Sequence, residues 1–407
     1  MGRPDRHPRG DWRLTSADKT FGKATQLVHA GRGAGPRRRT VGPPIEKGST
    51  VLMAEAAELY DDDAVTYGRG GLSVQDLLSS ALAELENATS VRLFPSGLAA
   101  LTGAMLGVLK AGDEILVTDA AYNPTRRFCD RVLTRFGVAV RYHRPSTTPD
   151  DLIAMAGPAT RLIVLESPGS LTFDMQDAPA IAQLAKARGI LTLMDNTWAA
   201  GLYFKPLDHG VDLSVQALTK YVGGHSDVFM GSAATRDPVL AESLDHAIWD
   251  FGWSVAPEDA YQMVRGLRTL STRLARHGQS ALVIAEWLRG QPAVAQVLYP
   301  ALPGARDHEI WKRDYTGAAG LFTIVLKPSS DGAVHAFLNA LRLFGLGFSW
   351  GGFESLALNC DPQFDKRVWP PNLGGPAIRL SIGLEDPEDL IADLERGFEA
   401  LARAPAG

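Results

Sequence analysis

The chain has 407 residues, of which 45% are hydrophobic and 21% are charged, so it is long enough for two folded domains with a large buried core. Its formal net charge of −5 argues against nucleic acid or an anionic membrane as the main partner. The only two cysteines, Cys129 and Cys360, are too few for a disulfide framework or a four-cysteine zinc site, so we expect a reducing compartment and no metal.

The N-terminal 66 residues are rich in glycine, proline and arginine, as in HAGRGAGPRRRTVGPPIEKGST at 29–50. This composition favours an extended arm over a packed unit. The start of the chain is basic but has no apolar core, so it does not resemble a secretory signal. Because no apolar run reaches the roughly 18 residues that a membrane helix needs, we expect a cytoplasmic protein.

From residue 72 onward, helical and strand patterns alternate. LSVQDLLSSALAELE (72–86) has the apolar spacing of a helix, SVRLFPSG (90–97) predicts a strand that ends in a turn, and GLAALTGAMLGVL (97–109) predicts an apolar helix. Further strands are predicted at 114–119, 161–168, 191–197, 212–218 and 229–235, with helices between several of them, for instance at 178–189. Apolar strands separated by helices predict an α/β fold whose mostly parallel central sheet has helices on both faces.

The last third of the chain has a different pattern. A long helix is predicted over about 257–290, followed by strands in GLFTIVL (320–326) and AIRLSIGLED (377–386) and a final helix in DLIADLERGFEALA (389–402). This order predicts a smaller C-terminal α+β domain.

Polar side chains follow two of the predicted strands. Asp195 ends the strand LTLMD, and Lys220 lies just beyond the strand DLSVQAL. Ligand sites of parallel sheets lie at the carboxyl ends of the strands, so we expect the acid and the amine at one rim. The turn before the helix at 97–109 offers free amides at Gly97 and Leu98, which suit a phosphate. An amine, an acid and a phosphate cradle together indicate a pyridoxal phosphate (PLP) site.

Longer blocks of sequence support this interpretation. In them the chain resembles the Cys/Met-metabolism family of PLP-dependent enzymes, and within that family it is most similar to the bacterial cystathionine β-lyases. The resemblance implies a fold-type I PLP-dependent enzyme with an arm at 1–66 that reaches a neighbouring subunit, a PLP-binding domain at 67–265 and a substrate-side domain at 266–407. The blocks are LVHAGR (27–32), YGRGG (67–71), AYNPTRRFC (121–129), ESPGS (166–170), the run from 195 to 227, RGLRTLSTRLARH (265–277), HEIWKRDYTGAAGLF (308–322), SWGGFESL (349–356) and IRLSIGLED (378–386).

The resemblance also implies roles for single residues at the cofactor. Lys220 would hold PLP covalently, Asp195 would pair with the pyridinium nitrogen, and Tyr122 would stack on the ring; these three are the expected catalytic residues. Many family members have a serine three positions before the lysine, where this chain has Ala217, and Ser214 is only a weak substitute for that hydroxyl. The residues expected to hold the phosphate within one chain are Gly97, Leu98 and Thr219.

Other roles concern the substrate and the assembly. Arg379 with Ser349 would bind the α-carboxylate of the substrate, and Trp350 would narrow the pocket beside them. Tyr67 and Arg69 would reach the phosphate from a neighbouring subunit, so a dimer is the minimal active unit and a homotetramer, a dimer of dimers, is expected.

The family includes several reactions, so the resemblance alone does not determine one. Its γ-type members commonly have Asn-Pro after ESP, where this chain reads ESPGSLTFD, and they commonly lack a tryptophan at the position of Trp350. These features favour a β-lyase of methionine biosynthesis and transsulfuration that cleaves cystathionine, or a related cysteine thioether, to a thiol, pyruvate and ammonia. A γ-lyase, a γ-synthase, a sulfhydrylase and a non-catalytic scaffold of the same fold remain as alternatives.

Overall fold

The computed structural model describes residues 21–30, 41–61 and 64–404. Residues 1–20, 31–40 and 62–63 of the expected arm lie outside the described residues. The described part of the arm contains a short helix, α1 (Lys23–His29), which packs on a long helix of the main body through the buried Leu27. From 41 to 61 the chain is mostly extended and exposed, apart from a 3₁₀ turn at Ala56–Tyr60, and a second 3₁₀ turn lies at Gly68–Gly70.

The larger sheet has seven strands in the order β1-β7-β6-β5-β4-β2-β3. Six strands point in one direction and β7 runs antiparallel to both of its neighbours, β1 and β6. The expected mostly parallel sheet is therefore confirmed. The strands are β1 (Ser90–Phe94), β2 (Glu114–Thr118), β3 (Ala139–His143), β4 (Thr160–Glu166), β5 (Leu191–Asp195), β6 (Leu213–Ala217) and β7 (Gly231–Thr235).

Helices cover both faces of this sheet because successive side chains of a strand point to opposite sides. In β2, Ile115 and Val117 pack in one apolar cluster, whereas Leu116 packs in the other. The first cluster includes side chains of α3 and α7, and the second includes side chains of α2, α6 and α8. The helices of this part are α2 (Ser73–Glu86), α3 (Gly97–Val108), α4 (Asn123–Phe128), α5 (Pro149–Met155), α6 (Ala178–Ala187), α7 (Pro238–Asp250) and α8 (Pro257–Arg289).

A second, smaller sheet has five strands in the order β10-β11-β12-β9-β8, antiparallel except for the pair β10 and β11. This is the α+β part predicted for the last third of the chain. Its strands are β8 (Val294–Leu298), β9 (Leu321–Leu326), β10 (Gly345–Leu346), β11 (Leu356–Asn359) and β12 (Ala377–Ser381). Its helices are α9 (His308–Asp314), α10 (Asp331–Ala340), α11 (Asp361–Phe364) and α12 (Pro387–Arg403).

The edge strand β3 was not predicted from the sequence, and its composition explains why. Its sequence, AVRYH, is apolar only in part, and its side chains are mostly exposed or half-buried. An edge strand is covered less than a central one, so it lacks the continuous apolar run on which the other predictions depended. Among the described residues no helix combines the length and the apolar composition of a membrane span.

Candidate active site

A cavity of about 600 Å³ opens at the carboxyl ends of β2, β4, β5 and β6. Its wall also includes the start of α3, the loop after β4 and four segments of the smaller domain, so both parts of the chain contribute to it. The cavity has the size expected for a cofactor with a small substrate. The residues predicted from sequence that line it are Gly97, Leu98, Tyr122, Asp195, Thr219, Lys220, Trp350 and Arg379.

Lys220 lies three residues beyond the end of β6, and its Nζ donates a hydrogen bond to Ser349 Oγ at 2.8 Å. Burial lowers the pKa of this amine to about 8, with a further contribution from the positive charge of Arg379, while Asp195 acts in the opposite direction. A lysine with this pKa has a substantial neutral fraction near pH 8, and only the neutral amine is a nucleophile or a base.

The loop that carries Trp350 lies directly against the backbone at Lys220. Gly351 has a φ of +83°, and a Cβ atom there would lie 3.2 Å from Cβ of Lys220 and 3.1 Å from the amide nitrogen of Tyr221. Glycine tolerates this conformation and this approach. As a result the centroid of the Trp350 ring lies 5.4 Å from Nζ of Lys220, and the indole meets Tyr221 edge to face.

Two carboxyl groups lie side by side at the strand ends, because Glu166 of β4 is in register with Asp195 of β5. Asp195 accepts hydrogen bonds from the amide and the hydroxyl of Thr197, at 3.0 and 2.5 Å. Burial raises the pKa of Asp195, although the bonds from Thr197 and the charge of Lys220 oppose the shift. A cationic ring nitrogen beside Asp195 would compensate the buried negative charge, so this acid fits the pyridinium end of PLP.

Glu166 was not predicted as a site residue. Its pKa is raised well above the usual range by burial and by the neighbouring charge of Asp195, and its Oε2 accepts a hydrogen bond from the amide of Tyr122 at 2.7 Å. The signal was present in the sequence, since Glu166 ends the apolar run RLIVLE in the way that Asp195 ends LTLMD. Its proximity to Asp195 depends on strand order, which the sequence did not reveal.

The start of α3 forms the other end of the cavity. The Ser96 hydroxyl caps the helix by accepting a hydrogen bond from the amide of Ala99 at 3.1 Å. The amides of Gly97 and Leu98 have no acceptor within an α-helix because they belong to its first turn, so they suit a phosphate. The hydroxyl of Thr219, which also lines the cavity, donates to the carbonyl of Met230 and accepts from its amide.

Ala217 packs against the start of α3 and has no hydroxyl to offer a phosphate. A Cβ atom on Gly97 would lie only 2.3 Å from Cβ of Ala217, so the two residues bring the start of α3 against the end of β6. Ser214 is no substitute for the missing serine, because its side chain is buried elsewhere and donates to Glu86 Oε2 at 3.2 Å. The polar groups available at this end come from Ser96, Thr219 and the helix amides.

Arg379 extends from β12 of the smaller sheet into the cavity. Its Nη2 donates to the carbonyls of Phe348 and Ser349, both at 2.9 Å, while its buried Nε has no hydrogen-bond partner among the described residues. Burial lowers the pKa of Arg379 to about 10, so the guanidinium remains charged at neutral pH. A buried, partly unpaired guanidinium fits a carboxylate ligand.

Tyr122 precedes α4 and forms one wall of the cavity. Burial raises the pKa of its hydroxyl, and the carboxyl groups of Glu166 and Asp195 raise it further, so the phenol is neutral at physiological pH. Its flat ring, which is 44% exposed beside the cavity, suits stacking on a planar cofactor.

Tyr67 and Arg69 do not line this cavity. Arg69 donates to the carbonyls of Ile248 and Trp249 and lies over the Trp249 ring at 4.2 Å, and Tyr67 forms an isolated bridge with Thr50. The structure therefore does not place them at the site of their own chain, and their expected role in a neighbouring subunit stays a prediction.

The sequence model of the Cys/Met metabolism PLP-dependent enzymes matches residues 24–399. The chain belongs to this family. It is therefore a PLP-dependent enzyme, and the predicted fold-type I architecture and cofactor are confirmed.

Individual relatives differ in reaction. The chain is 40% identical to cystathionine β-lyase MetC of Escherichia coli over 92% of this chain and 97% of that protein. It is 39% identical to the L-alanine/L-glutamate racemase of the Wolbachia pipientis strain wMel, over 93% and 96%. A crystal structure of cystathionine γ-lyase from Lactobacillus plantarum in complex with L-serine has a TM-score of 0.86 and 31% identity, covering 94% of this chain and all of that one.

Proposed function

We propose that this enzyme is a carbon–sulfur β-lyase that cleaves L-cystathionine, or a related cysteine thioether, to a thiol, pyruvate and ammonia. The observation that carries the proposal is the position of Lys220. Its amine, with a pKa lowered to about 8, lies beside Trp350 and Ser349 in the cavity that also holds Arg379 and Asp195. The 40% identity to a cystathionine β-lyase over nearly the whole chain supports the same reaction.

The residues around the cavity fit PLP. Lys220 would hold it covalently, Asp195 would face its ring nitrogen and Tyr122 would cover the ring, with the phosphate at the amides of Gly97 and Leu98. When bound, PLP supplies the electron sink that stabilises negative charge at the substrate Cα.

The chain's own residues would bind the substrate, orient it and move a proton. Arg379 binds the α-carboxylate and so orients the substrate with its Cα–H bond toward Lys220. The neutral amine of Lys220 takes the Cα proton. As the Cβ–S bond breaks, the sulfur leaves with the bonding electron pair and takes a proton back from the Lys220 ammonium group, so it is released as a thiol. The unsaturated amino acid that remains is hydrolysed to pyruvate and ammonia.

Trp350 supports β- over γ-elimination. Its indole ring lies 5.4 Å from Nζ of Lys220 and is held by the edge-to-face contact with Tyr221. A fixed bulky side chain near the base leaves little room for the substrate conformation that γ-elimination needs, in which the Cγ–S bond is positioned for cleavage.

Products distinguish the candidate reactions. Incubation of purified holoenzyme with L-cystathionine should release pyruvate and homocysteine, and 2-oxobutyrate would instead show γ-cleavage. Conversion of L-alanine to D-alanine without either oxoacid would show a racemase. A colourless protein that does not take up PLP would favour the non-catalytic scaffold.

The variant Lys220→Ala should lose both pyruvate production and the visible absorbance of lysine-bound PLP, because no other amine of the described residues lines the cavity except that of Lys366. Lys186→Ala, at an exposed position of α6, is the matched control and should retain both. Pyruvate production by Lys220→Ala near the wild-type rate would contradict the assignment of the base.

We further infer that two chains share each active site, with Tyr67 and Arg69 contributed by the neighbour, and that the domains divide near residues 66 and 265. A homotetramer in the cytoplasm agrees with these inferences and stays a prediction.

A further inference from the structure

One cation of the cavity has no part in the chemistry proposed above. Among the described residues that line it, the cationic ones are Lys220, Arg379 and Lys366. Lys220 is the base and Arg379 receives the α-carboxylate, which leaves Lys366 without a function.

Lys366 lies on the side of the cavity opposite the phosphate cradle. It borders a small adjoining pocket with Asn123, which follows β2, and Ser170, which follows β4. The start of α3 instead packs against Ala217 at the end of β6. Because β5 separates β6 from β4 in the sheet, Asp195 at the end of β5 lies between the two sides of the cavity.

The backbone around Lys366 is held firmly by the larger domain. Arg126 Nη2 donates to the carbonyl of Lys366 at 2.9 Å, and the carboxylate of Asp119 accepts from the amides of Val368 and Trp369 at 3.0 and 2.9 Å. Arg126 and Asp119 also form an ion pair in which both side chains are almost completely buried. A buried pair of this kind fixes geometry more than it adds stability.

The ammonium group itself is available. Lys366 is exposed, and its Nζ has no hydrogen bond or ion pair within residues 21–30, 41–61 and 64–404. The acids of the cavity, Glu166 and Asp195, are buried side by side at the strand ends, with Asp195 near Lys220. An anchored backbone that presents an unpaired cation to a substrate cavity is preorganised for an anionic group.

We infer that Lys366 binds an acidic group on the leaving-thiol half of the substrate. This inference rests on the proposed function and narrows its substrate class. Arg379 would hold the carboxylate of the half that becomes pyruvate, and Lys366 would hold a carboxylate of the half that leaves as a thiol. The neutral side chains of Asn123 and Gln363, which border the same corner, can donate further hydrogen bonds to that group. The enzyme thus prefers thioethers whose leaving half carries a carboxylate, such as cystathionine, over S-alkyl cysteines.

The test compares two substrates that release the same pyruvate. L-Cystathionine has a distal carboxylate and S-methyl-L-cysteine has none. Lys366→Gln should lower kcat/KM for L-cystathionine about tenfold, mainly through KM, the size expected for loss of one charged hydrogen bond at a partly solvated site. For S-methyl-L-cysteine the change should stay within about twofold, because that substrate does not reach Lys366.

Three further variants sharpen the comparison. Lys366→Glu should reduce cystathionine turnover more than Lys366→Gln, because it replaces attraction by repulsion. Lys366→Arg should retain most of the activity, and Lys186→Gln, at an exposed position away from the cavity, should change neither substrate. Unchanged visible absorbance of bound PLP in each variant shows that the holoenzyme is intact.

The inference is overturned if Lys366→Gln affects the two substrates equally or affects neither. A wild-type enzyme that releases pyruvate from S-methyl-L-cysteine as efficiently as from L-cystathionine also overturns it and leaves the β-lyase proposal standing. A wild-type enzyme that releases no pyruvate from either substrate overturns the β-lyase proposal, and the inference with it.

Discussion

The pKa of the Lys220 amine, and so its reactivity, depends on three effects of unequal size: burial and the charges of Arg379 and Asp195. Burial is the largest and Arg379 adds to it, so together they lower the pKa of the amine to about 8 against the opposing charge of Asp195. The same guanidinium that receives the substrate carboxylate thus also keeps a fraction of the lysine neutral. Binding of the carboxylate to Arg379 would cancel part of that positive charge, so the two functions are coupled.

The lowered pKa of Lys220 predicts the pH dependence of cofactor uptake. Only the neutral amine reacts with an aldehyde, so the rate at which apoenzyme takes up PLP should rise with pH and level off above about 8, the pKa of Lys220. Asp195→Asn should move the midpoint to lower pH, because it removes the charge that favours the ammonium form. Stopped-flow records of visible absorbance across the pH range give both midpoints. An uptake rate that falls as pH rises, or a midpoint that moves upward in Asp195→Asn, would contradict this account.

At the scale of single elements, the start of α3 and the end of β6 form one unit. Gly97 and Ala217 are in contact, and this contact brings the free amides of the helix beside Lys220. A helix that began even 1 Å further away would offer the phosphate a weaker cradle.

Gly97→Ala should therefore weaken both stability and cofactor binding. Its Cβ would lie 2.3 Å from Cβ and 2.8 Å from Cα of Ala217, so α3 must shift. We expect a loss of about 1–3 kcal/mol in the free energy of unfolding, typical of overpacking, and a clearly raised Kd for PLP. Urea unfolding and PLP titration measure the two effects. Gly157→Ala is the control, since no atom lies within 4 Å of its new Cβ; equal effects of the two variants would refute the steric explanation.

A second element-scale contact connects the two domains. Asp119 follows β2 and accepts hydrogen bonds from the buried Arg126 and from two backbone amides, at Val368 and Trp369 of the smaller domain. One buried carboxylate therefore holds the segment that carries Lys366 against the larger sheet.

Asp119→Asn leaves the Arg126 guanidinium buried without its counter-charge. We expect the free energy of unfolding to fall by about 3–5 kcal/mol, the usual cost of removing one partner of a buried ion pair. Glu399→Gln breaks the exposed pair with Arg403 and should change stability by no more than about 1 kcal/mol. Denaturant unfolding of both variants checks the contrast, and a similar small change in both would show that the buried pair has no such importance.

At the scale of the whole molecule, one chain by itself exposes several large apolar side chains. Leu52 and Tyr60 of the arm are 91% and 89% exposed, and Phe348 and Phe229 at the rim of the cavity are 82% and 75% exposed. Exposed apolar side chains on the arm and around the cavity mouth are typical of surfaces that another chain covers. This agrees with the proposal that neighbouring subunits complete each site.

Hybrid dimers test the shared site. A Lys220→Ala chain co-expressed with a chain that has both Tyr67→Phe and Arg69→Ala should recover activity, although each variant is inactive by itself. In a hybrid one site has all of its wild-type residues, and random pairing makes half of the dimers hybrids, so about a quarter of the wild-type activity is expected. Differently tagged chains purified in two steps isolate the hybrids. Absence of recovery would show that Tyr67 and Arg69 act within their own chain, and a double variant that is active by itself would show that they have no role at the site.

The amino-acid sequence by itself determined the central strands and the residues that follow them. Continuous apolar runs identified β4, β5 and β6, because strands buried on both faces leave that pattern, and polar residues just after the runs identified Asp195 and Lys220. The longer blocks of sequence identified Arg379, which no local pattern would have connected to a site 159 residues earlier in the chain.

Only the tertiary structure decided which groups meet. Strand order places Glu166 beside Asp195, and the buried pair of Asp119 and Arg126 places Lys366 at the cavity. Neither arrangement leaves a local pattern in the sequence. Glu166 and Asp195 are on different strands, and the pair of Asp119 and Arg126 contacts a segment far along the chain. Local periodicity reports which side of an element is buried, whereas the partner on that side depends on how the whole chain packs.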